Sequence, residues 1–184
     1  MIREGHLEGD EQIMRQGTVY WITGLSGAGK TTIGKIFYER LLQQKETVLF
    51  LDGDILREVF GNDLGYGRED RFFCAMRYAR LCKLLAGQGQ DVVICTISMF
   101  RDVREWNRQN IETYREIYIE VPMGVLQQRN QKNLYRDGND VVGVDLELEF
   151  PENPDIILKN DGVLPLQEMA EQIWDAFCAD GGTF

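Results

Sequence analysis

The chain has 184 residues, of which 43% are hydrophobic and 27% charged, and its formal net charge is −10. This composition predicts one soluble globular domain, and a negative charge without a basic stripe argues against a nucleic-acid polymer as partner. Residues 1–17 form a polar tail without the apolar core of a signal peptide, and the other apolar runs are too short to cross a membrane, so we expect a cytoplasmic protein.

Apolar β-rich runs alternate with segments of helical periodicity along the rest of the chain. Residues 18–184 are therefore expected to form a single α/β domain, a three-layer α/β/α arrangement of the P-loop NTPase type with a mostly five-stranded parallel sheet. The spacing predicts strands at residues 19–23, 47–51, 91–97, 116–121 and 155–158, and helices at residues 31–43, 69–87, 103–110 and 166–177. The polar stretch 127–150 breaks the pattern and is predicted to be a mobile lid.

The first strand leads into a complete G-x-x-x-x-G-K-[ST] motif at Gly24–Thr31. Backbone N–H groups of such a loop wrap phosphates at a helix N-terminus, with Lys30 reaching the β and γ phosphates and the Thr31 hydroxyl binding Mg²⁺. The predicted nucleotide contacts are Gly24, Ser26, Gly27, Ala28, Gly29, Lys30, Thr31 and Thr32. A module that binds nucleotide without turnover remains an alternative.

Two acids, Asp52 and Asp54, follow the second strand. With this strand beside the first, both carboxylates would face the phosphate loop, one near Mg²⁺ and the other accepting a proton from the substrate hydroxyl. Because the only histidine is His6, in the tail, base chemistry falls to a carboxylate or to no residue at all. The alternative is that an Asp merely caps the following helix.

Arginines cluster after successive strands, where forked donors suit substrate oxyanions. A solvated basic face is the alternative. The candidates include Arg57, then Arg71 and Arg77 with Cys74 on one arc of the long helix, and Arg129 with Lys132 at the start of the irregular stretch. The cysteines Cys74, Cys82, Cys95 and Cys178 show no metal-binding spacing and are expected to be reduced thiols, three of them buried.

With these residues in place, the chain resembles adenylylsulfate kinases over about residues 17–162. The matching segments are Gly24–Thr32, Leu51–Arg57, Asp63–Tyr66, Glu69–Arg71, Ile97–Arg101, Lys132–Tyr135, Gly143–Asp145 and Asn153–Asp155. Such enzymes use MgATP to phosphorylate the ribose 3′-hydroxyl of adenosine 5′-phosphosulfate, and they are commonly homodimers. The resemblance therefore implies ATP and Mg²⁺ as cofactors, the ribose 3′-hydroxyl of adenosine 5′-phosphosulfate, a nucleotide conjugate, as the phosphate acceptor, and a homodimer.

The resemblance also implies roles for individual positions. Asp54 would receive the ribose hydroxyl, Asp52 would lie near the metal with Thr31, and Arg129 would stack on the adenine of ATP. The implied catalytic residues are Asp54, Lys30, Asp52 and Lys132, and the implied substrate contacts are Asp54, Arg57, Arg71, Cys74, Arg77, Ile97, Ser98, Phe100, Lys132, Leu134 and Val141.

The departures from the family pattern concentrate on the acceptor side. Cys74 stands where the family has asparagine, Met76 where it has an arginine, and Val141 where a lid phenylalanine stacks on adenine. Met99 replaces an expected proline. A different acceptor, such as cytidine diphosphoramidate, is therefore an alternative, because pocket contacts set acceptor choice. A kinase of another small metabolite and a nucleotide-dependent switch also stay open, although the sequence lacks the N-K-x-D segment of guanine switches.

Overall fold

The computed structural model describes residues 15–45, 47–129 and 148–179. Strands and helices alternate through these ranges. The strands are β1 (Thr18–Gly24), β2 (Val48–Asp52), β3 (Asp91–Thr96), β4 (Thr113–Glu120) and β5 (Ile156–Lys159), and the helices are α1 (Lys30–Leu42), α2 (Gly53–Val59), α3 (Arg68–Gly87), α4 (Arg101–Asn110), α5 (Met123–Arg129) and α6 (Leu166–Phe177).

The five strands form one sheet in the order β2-β3-β1-β4-β5, and every neighbouring pair is parallel. The predicted α/β fold with a five-stranded parallel sheet is thus confirmed. The expectation that the second strand flanks the first was wrong, because β3 lies between β2 and β1. All carboxyl ends still meet at one edge, so the residues after β2 and the phosphate loop after β1 remain near neighbours.

Side chains of each central strand enter two separate cores, one on each face of the sheet. Tyr20 and Ile22 of β1 pack with α1 and α6, whereas Val19 and Trp21 pack with α3 and α4. Successive side chains of a strand point to opposite faces, and all seven residues of β1 are buried. This burial on both faces explains why the strands read as continuous apolar runs rather than alternating ones.

The segment that precedes β5 is anchored to α4 and β4 by a buried ionic network. Glu116 of β4 pairs with Arg104 at 3.4 Å and with Arg108 at 2.7 Å. Arg108 also donates to the Asn153 carbonyl at 2.9 Å, and Asp155 accepts from the Glu116 N–H at 2.6 Å. This network fixes where the chain enters the edge strand.

Element boundaries differ from the predictions by up to three residues. The largest shift is at β4, which begins at Thr113 rather than at residue 116. Helix α5 was not predicted, and its last residues, 127–129, overlap the start of the expected lid. The remainder of that lid, residues 130–147, lies outside the described residues, as does most of the N-terminal tail. Within the described ranges, no helix is both long and apolar enough to span a bilayer.

Helix α1 lies very close to the sheet at Gly34. A Cβ atom there would collide with the Sγ atom of Cys95 and would come within 3.2 Å of Ile22 Cδ1. Both neighbours are buried, Cys95 at 2% exposure and Ile22 at 0%, so neither can move into open space. The absence of a side chain at Gly34 therefore sets the distance between the phosphate-loop helix and β3.

We expect Gly34→Ala to destabilise the fold by about 1–3 kcal/mol, because overpacking a close-packed core forces the neighbours out of position. The matched control is Gly87→Ala, a helical glycine where an added Cβ would meet nothing within 4 Å. Alanine gains helix propensity at the interior Gly34 and gains less at Gly87, the last residue of α3, so a lower free energy of unfolding of the Gly34 variant in urea reflects the steric contact. Equal unfolding midpoints for the two variants would contradict this packing argument.

Candidate active site

A cavity of about 250 Å³ opens at the carboxyl edge of the sheet. Its walls are formed by the phosphate loop, by α2 with the residues that flank it, and by one face of α3. The lining residues are Ser26, Gly27, Gly29, Lys30, Thr31, Thr32, Asp52, Gly53, Asp54, Arg57, Tyr66, Arg71, Cys74, Ala75, Tyr78, Cys95, Thr96 and Ile97. One cleft therefore contains the predicted nucleotide loop, both acids and two of the predicted arginines.

The phosphate loop turns sharply before α1, and its shape depends on glycine. Gly29 caps the N-terminus of α1 with φ 89°, a left-handed conformation that residues with a side chain rarely adopt. The Ala28 N–H donates to the Leu25 carbonyl at 3.1 Å, which closes the turn. The free N–H groups at the start of α1 consequently face the cavity, where they suit an anion. Gly24 and Ala28 support this loop without lining the cavity.

The ammonium group of Lys30 reaches back across the loop and donates to the Leu25 carbonyl at 2.8 Å. Burial lowers the pKa of Lys30 from its ordinary value to about 8, and the neighbouring side chains of Cys95, Asp54 and Asp52 only partly oppose that effect. Desolvation disfavours the charged form of a lysine. A polyphosphate bound in the cavity would place negative charge beside the Lys30 amine and would favour its protonated form.

A single carboxylate, that of Asp52, joins three elements. One oxygen accepts from the Thr31 hydroxyl of α1 at 2.7 Å, and the other accepts from the Asp54 N–H at 2.9 Å. Asp52 therefore ends β2, caps α2 and orients the hydroxyl of the phosphate loop at once. The capping and the metal-related interpretations of this residue are compatible.

Asp54 lies in the first turn of α2 rather than in an extended segment, and its side chain is exposed at the cavity wall. The sequence had suggested that the two acidic side chains point in the same direction. In the structure they do not. Asp52 points toward Thr31, while Asp54 faces the open volume. This arrangement separates a structural carboxylate from a free one, and a free carboxylate can accept a proton from a bound hydroxyl.

The opposite wall is built around Tyr66, which is 55% exposed. Arg57 lies 4.4 Å from the centre of the Tyr66 ring and Arg71 lies 5.4 Å from it. Arg57 also donates to the carbonyls of Leu64 and Gly65 at 2.6 and 2.9 Å, and the Arg71 Nε–H donates to the Tyr66 carbonyl at 2.6 Å. The two arginines thus shape the loop that presents the tyrosine.

Helix α3 contributes a different arc from the predicted one. Cys74 lines the cavity, but Arg77 does not; it forms a bidentate pair with Asp63 at 2.7 and 2.9 Å. Six residues of an α-helix turn Arg77 roughly 120° away from Arg71. The residue that completes the arc is Tyr78, whose hydroxyl donates to the Gly53 carbonyl at 2.9 Å. Burial, assisted by Cys74, keeps the pKa of Tyr78 well above its ordinary value, so it stays a donor.

The residues after β3 divide between the cavity and the core. Ile97 lines the cavity. Ser98 is fully buried beneath it, and its carbonyl accepts from the Thr23 hydroxyl at 3.4 Å. Phe100 is buried against Phe72 in an edge-to-face contact and does not line the cavity. Of these three predicted substrate contacts, the structure therefore brings only Ile97 to the cavity wall.

Arg129 lies outside the cavity, at the end of α5, where it donates to the Asn160 amide oxygen at 2.8 Å. Three other predicted contacts, Lys132, Leu134 and Val141, lie outside the described residues.

The sequence does not predict Tyr78 or Asn160 as site residues, and it predicts no role for Tyr66, although that residue lies in a family-like segment. The helical spacing from Arg71 through Cys74 to Tyr78 could have indicated Tyr78. No local signal could have indicated Asn160, because its partners are distant in sequence.

In the described ranges, no group of three or more His, Cys, Asp or Glu side chains could hold a metal ion by itself. A hydroxyl and a carboxylate oxygen nevertheless lie together at Thr31 and Asp52. Mg²⁺ commonly binds in this way, with few protein oxygens and the substrate phosphates completing its shell. A phosphate loop, a carboxylate that caps a helix and orients the loop hydroxyl, and a second carboxylate facing the same cleft define the class of P-loop phosphotransferases.

Comparisons with known proteins narrow this class. The family model described as adenylylsulphate kinase matches residues 16–159. A protein of Campylobacter jejuni named cytidine diphosphoramidate kinase is 42% identical over 160 residues, which cover 84% of this chain and 93% of that protein. An adenylyl-sulfate kinase of Gloeothece citriformis is 34% identical over 164 residues, covering 86% of this chain and 91% of the relative.

Among solved structures, the Mycobacterium tuberculosis adenylylsulfate (APS) kinase in complex with AMPPNP and APS superposes with a TM-score of 0.80 at 29% identity. The match covers 88% of this chain and 97% of that one. The chain therefore belongs to the adenylylsulfate kinase family, and it is an ATP-dependent phosphotransferase.

The lowered pKa of Lys30 predicts a pH-dependent nucleotide affinity. Bound phosphate raises the pKa of the lysine, so binding takes up a proton wherever free Lys30 is neutral, and affinity falls as the pH rises above about 8. We expect ADP to bind about tenfold more weakly at pH 9 than at pH 7 by proton linkage, measured by titration calorimetry.

Lys30→Arg is the control for this measurement. A guanidinium stays protonated throughout this range, so whatever affinity that variant retains should vary much less with pH. An ADP affinity of the unchanged protein that is constant across the same interval would contradict the lowered pKa.

Proposed function

We propose that this enzyme transfers the γ-phosphate of ATP to a ribose hydroxyl of a nucleotide conjugate, and that it prefers cytidine diphosphoramidate to adenosine 5′-phosphosulfate. The observation that carries the proposal is the single cavity that Lys30, Asp54 and Tyr66 share. Donor and acceptor must meet in one cleft for direct transfer, because positioning and charge neutralisation provide most of the catalysis in phosphoryl transfer.

The triphosphate half of the site belongs to the phosphate loop. Backbone N–H groups at the start of α1 bind the phosphates, and the charged form of Lys30 neutralises the transferring group. Thr31 and Asp52 would hold Mg²⁺, which would offset negative charge on the phosphates when bound. Since the Thr31 hydrogen is already committed to Asp52, the hydroxyl lone pairs remain available for the metal.

Asp54 is the group that would accept the proton of the ribose hydroxyl. It is the carboxylate with a free face toward the cavity, whereas both oxygens of Asp52 already accept hydrogen bonds. A carboxylate also orients the hydroxyl toward the γ-phosphate through a hydrogen bond. This division of roles follows from the different partners of the two acids.

The acceptor half is the wall formed by Tyr66, Arg57 and Arg71. An exposed aromatic ring can stack on a nucleobase, an interaction worth roughly 1–3 kcal/mol per base. The two guanidinium groups beside the ring suit the oxyanions of a 5′-linked diphosphate or phosphosulfate group. A nucleotide conjugate offers both features, which is why we favour it over a sugar acid.

The choice of cytidine over adenosine rests on two observations. Cys74 stands at the cavity wall where the family pattern has an amide, so a bidentate contact with the acceptor is missing. The cytidine diphosphoramidate kinase shares 42% of its aligned residues with this chain, against 34% for the Gloeothece adenylyl-sulfate kinase. A pyrimidine is smaller than adenine and needs less stacking area.

Adenosine 5′-phosphosulfate is the second candidate, and with it a role in sulfate assimilation. The family model and several relatives that are 32–36% identical carry the name of that activity. Both acceptors present a ribose hydroxyl and a 5′-linked anionic group, so Asp54 and the two arginines would act in the same way on either.

A direct comparison of acceptors tests the proposal. Purified protein with MgATP is given cytidine diphosphoramidate, adenosine 5′-phosphosulfate or unconjugated cytidine diphosphate, and ADP release is followed. We expect kcat/KM for the cytidine conjugate to exceed that for adenosine 5′-phosphosulfate by at least about tenfold, the effect of one lost hydrogen-bonding contact. The opposite ranking would favour the second candidate, and no ADP release with any nucleotide conjugate would remove the proposal.

Asp54→Asn tests the assignment of the base. The amide keeps the shape of the side chain but accepts no proton, so we expect kcat to fall about 100-fold or more while ADP affinity stays near normal. Asp63→Asn is the control, because that exposed carboxylate pairs with Arg77 and lies outside the cavity lining. Unchanged turnover in the Asp54 variant would exclude it from this role.

A further inference from the structure

Asn160 follows β5 and is 1% exposed, although its side chain is an amide. Its NH₂ group donates to the Ala28 carbonyl at 2.9 Å, and its oxygen accepts from Arg129 at 2.8 Å. Its own N–H donates to the Glu120 carbonyl at 2.8 Å, which fixes the backbone from which the side chain projects. Only one orientation of the amide satisfies both side-chain partners.

The contact with Ala28 supplies a hydrogen-bond donor to a buried carbonyl of the phosphate loop. When backbone N–H groups of the loop turn toward the phosphates, some carbonyls turn inward and need donors. Ala28 is fully buried, and Asn160, just after the end of β5 and 132 residues away in sequence, provides that donor. A Cβ on Gly29 would lie 3.0 Å from the same amide nitrogen, so the asparagine packs directly beneath the turn.

The contact with Arg129 reaches the other side of the loop. Arg129 does not line the cavity that contains Lys30 and Thr31, so it does not share the γ-phosphate space with them. Its guanidinium lies 3.7 Å from the place where a Cβ on Gly162 would be, beside the loop after β5. The resemblance to adenylylsulfate kinases implies that Arg129 stacks on the adenine of ATP, and a place outside the cavity that contains Lys30 and Thr31 fits that role.

We propose that Asn160 is a positioning residue of the nucleotide site, which sets the distance between the phosphate loop and the guanidinium of Arg129. The phosphate loop binds one end of the nucleotide, and Arg129 contacts the base through its planar face. The side-chain amide of Asn160 contacts both the phosphate loop and Arg129. A single buried side chain therefore sets the separation between the phosphate site and the base site. The inference rests on ATP as the phosphate donor and does not depend on the acceptor.

The test compares a ligand that has a base with one that lacks it. A non-hydrolysable ATP analogue and inorganic tripolyphosphate, each with Mg²⁺, are titrated into the unchanged protein and its variants by calorimetry. The ratio of the two affinities measures the contribution of the nucleoside. Thermal unfolding of each ligand-free variant is recorded as the measure of structural damage.

We expect Asn160→Ala to weaken the ATP analogue roughly tenfold more than tripolyphosphate, because Arg129 loses the acceptor that orients it. Arg129→Ala should reduce the affinity ratio by a similar factor and leave tripolyphosphate nearly unchanged. The double variant should show no further loss of the ratio, since both changes remove one interaction. Asn153→Ala is the matched control, because Asn153 accepts from Arg108 through its backbone carbonyl, which alanine keeps.

Asn160→Asp separates the two contacts. The carboxylate still accepts from Arg129 but cannot donate to the Ala28 carbonyl, so both ligands should bind more weakly while their affinity ratio stays near that of the unchanged protein. This variant also decides the question if Asn160→Ala fails to fold.

The proposal is overturned if Asn160→Ala weakens both ligands by the same factor, or if Asn160→Asp loses the ratio as well. Because no acceptor is present in these titrations, such a failure leaves the acceptor assignment untouched. Failure of every nucleotide conjugate to accept phosphate would, conversely, leave the positioning role of Asn160 standing.

Discussion

The carboxylate of Asp52 is the constraint on which the site depends. It accepts from the Thr31 hydroxyl with one oxygen and from the Asp54 N–H with the other. Helix α1, strand β2 and helix α2 therefore have a common reference point at the carboxyl edge of the sheet. Removing this acceptor would leave the phosphate loop and helix α2 without a common hydrogen-bonding partner. The sheet does not join them directly, because β3 separates β2 from β1.

The fold was predictable from the sequence where local patterns carry the information. The motif Gly24–Thr31 and the continuous apolar strands indicated a parallel sheet with a phosphate loop, and the structure has both. Strand order was predicted less well, because nothing in the local pattern of β2 specifies its neighbour. Helix α3 was predicted correctly, but Arg77 faces away from Arg71 and pairs with Asp63 of the preceding loop.

The candidate site shows the same division. Lys30, Thr31, Asp52, Asp54 and Arg71 come from contiguous motifs, and they meet in the cavity as the motifs suggested. Asn160 joins the site through Ala28, a partner 132 residues away along the chain, and such a contact leaves no trace in spacing or periodicity. Long-range polar contacts are therefore the part of this site that the sequence alone does not reveal.

The loop at residues 61–67 touches the rest of the cleft mainly through Tyr66 and the arginines that hold its carbonyls. The triphosphate cradle, in contrast, is built from β1, α1 and β2 and shares no backbone with this loop. Evolution can consequently rebuild the recognition of the phosphate-receiving molecule by exchanging a few loop side chains, while the machinery that handles the donor stays intact. Families that diversify their metabolites on a common scaffold need such a modular boundary between two half-sites.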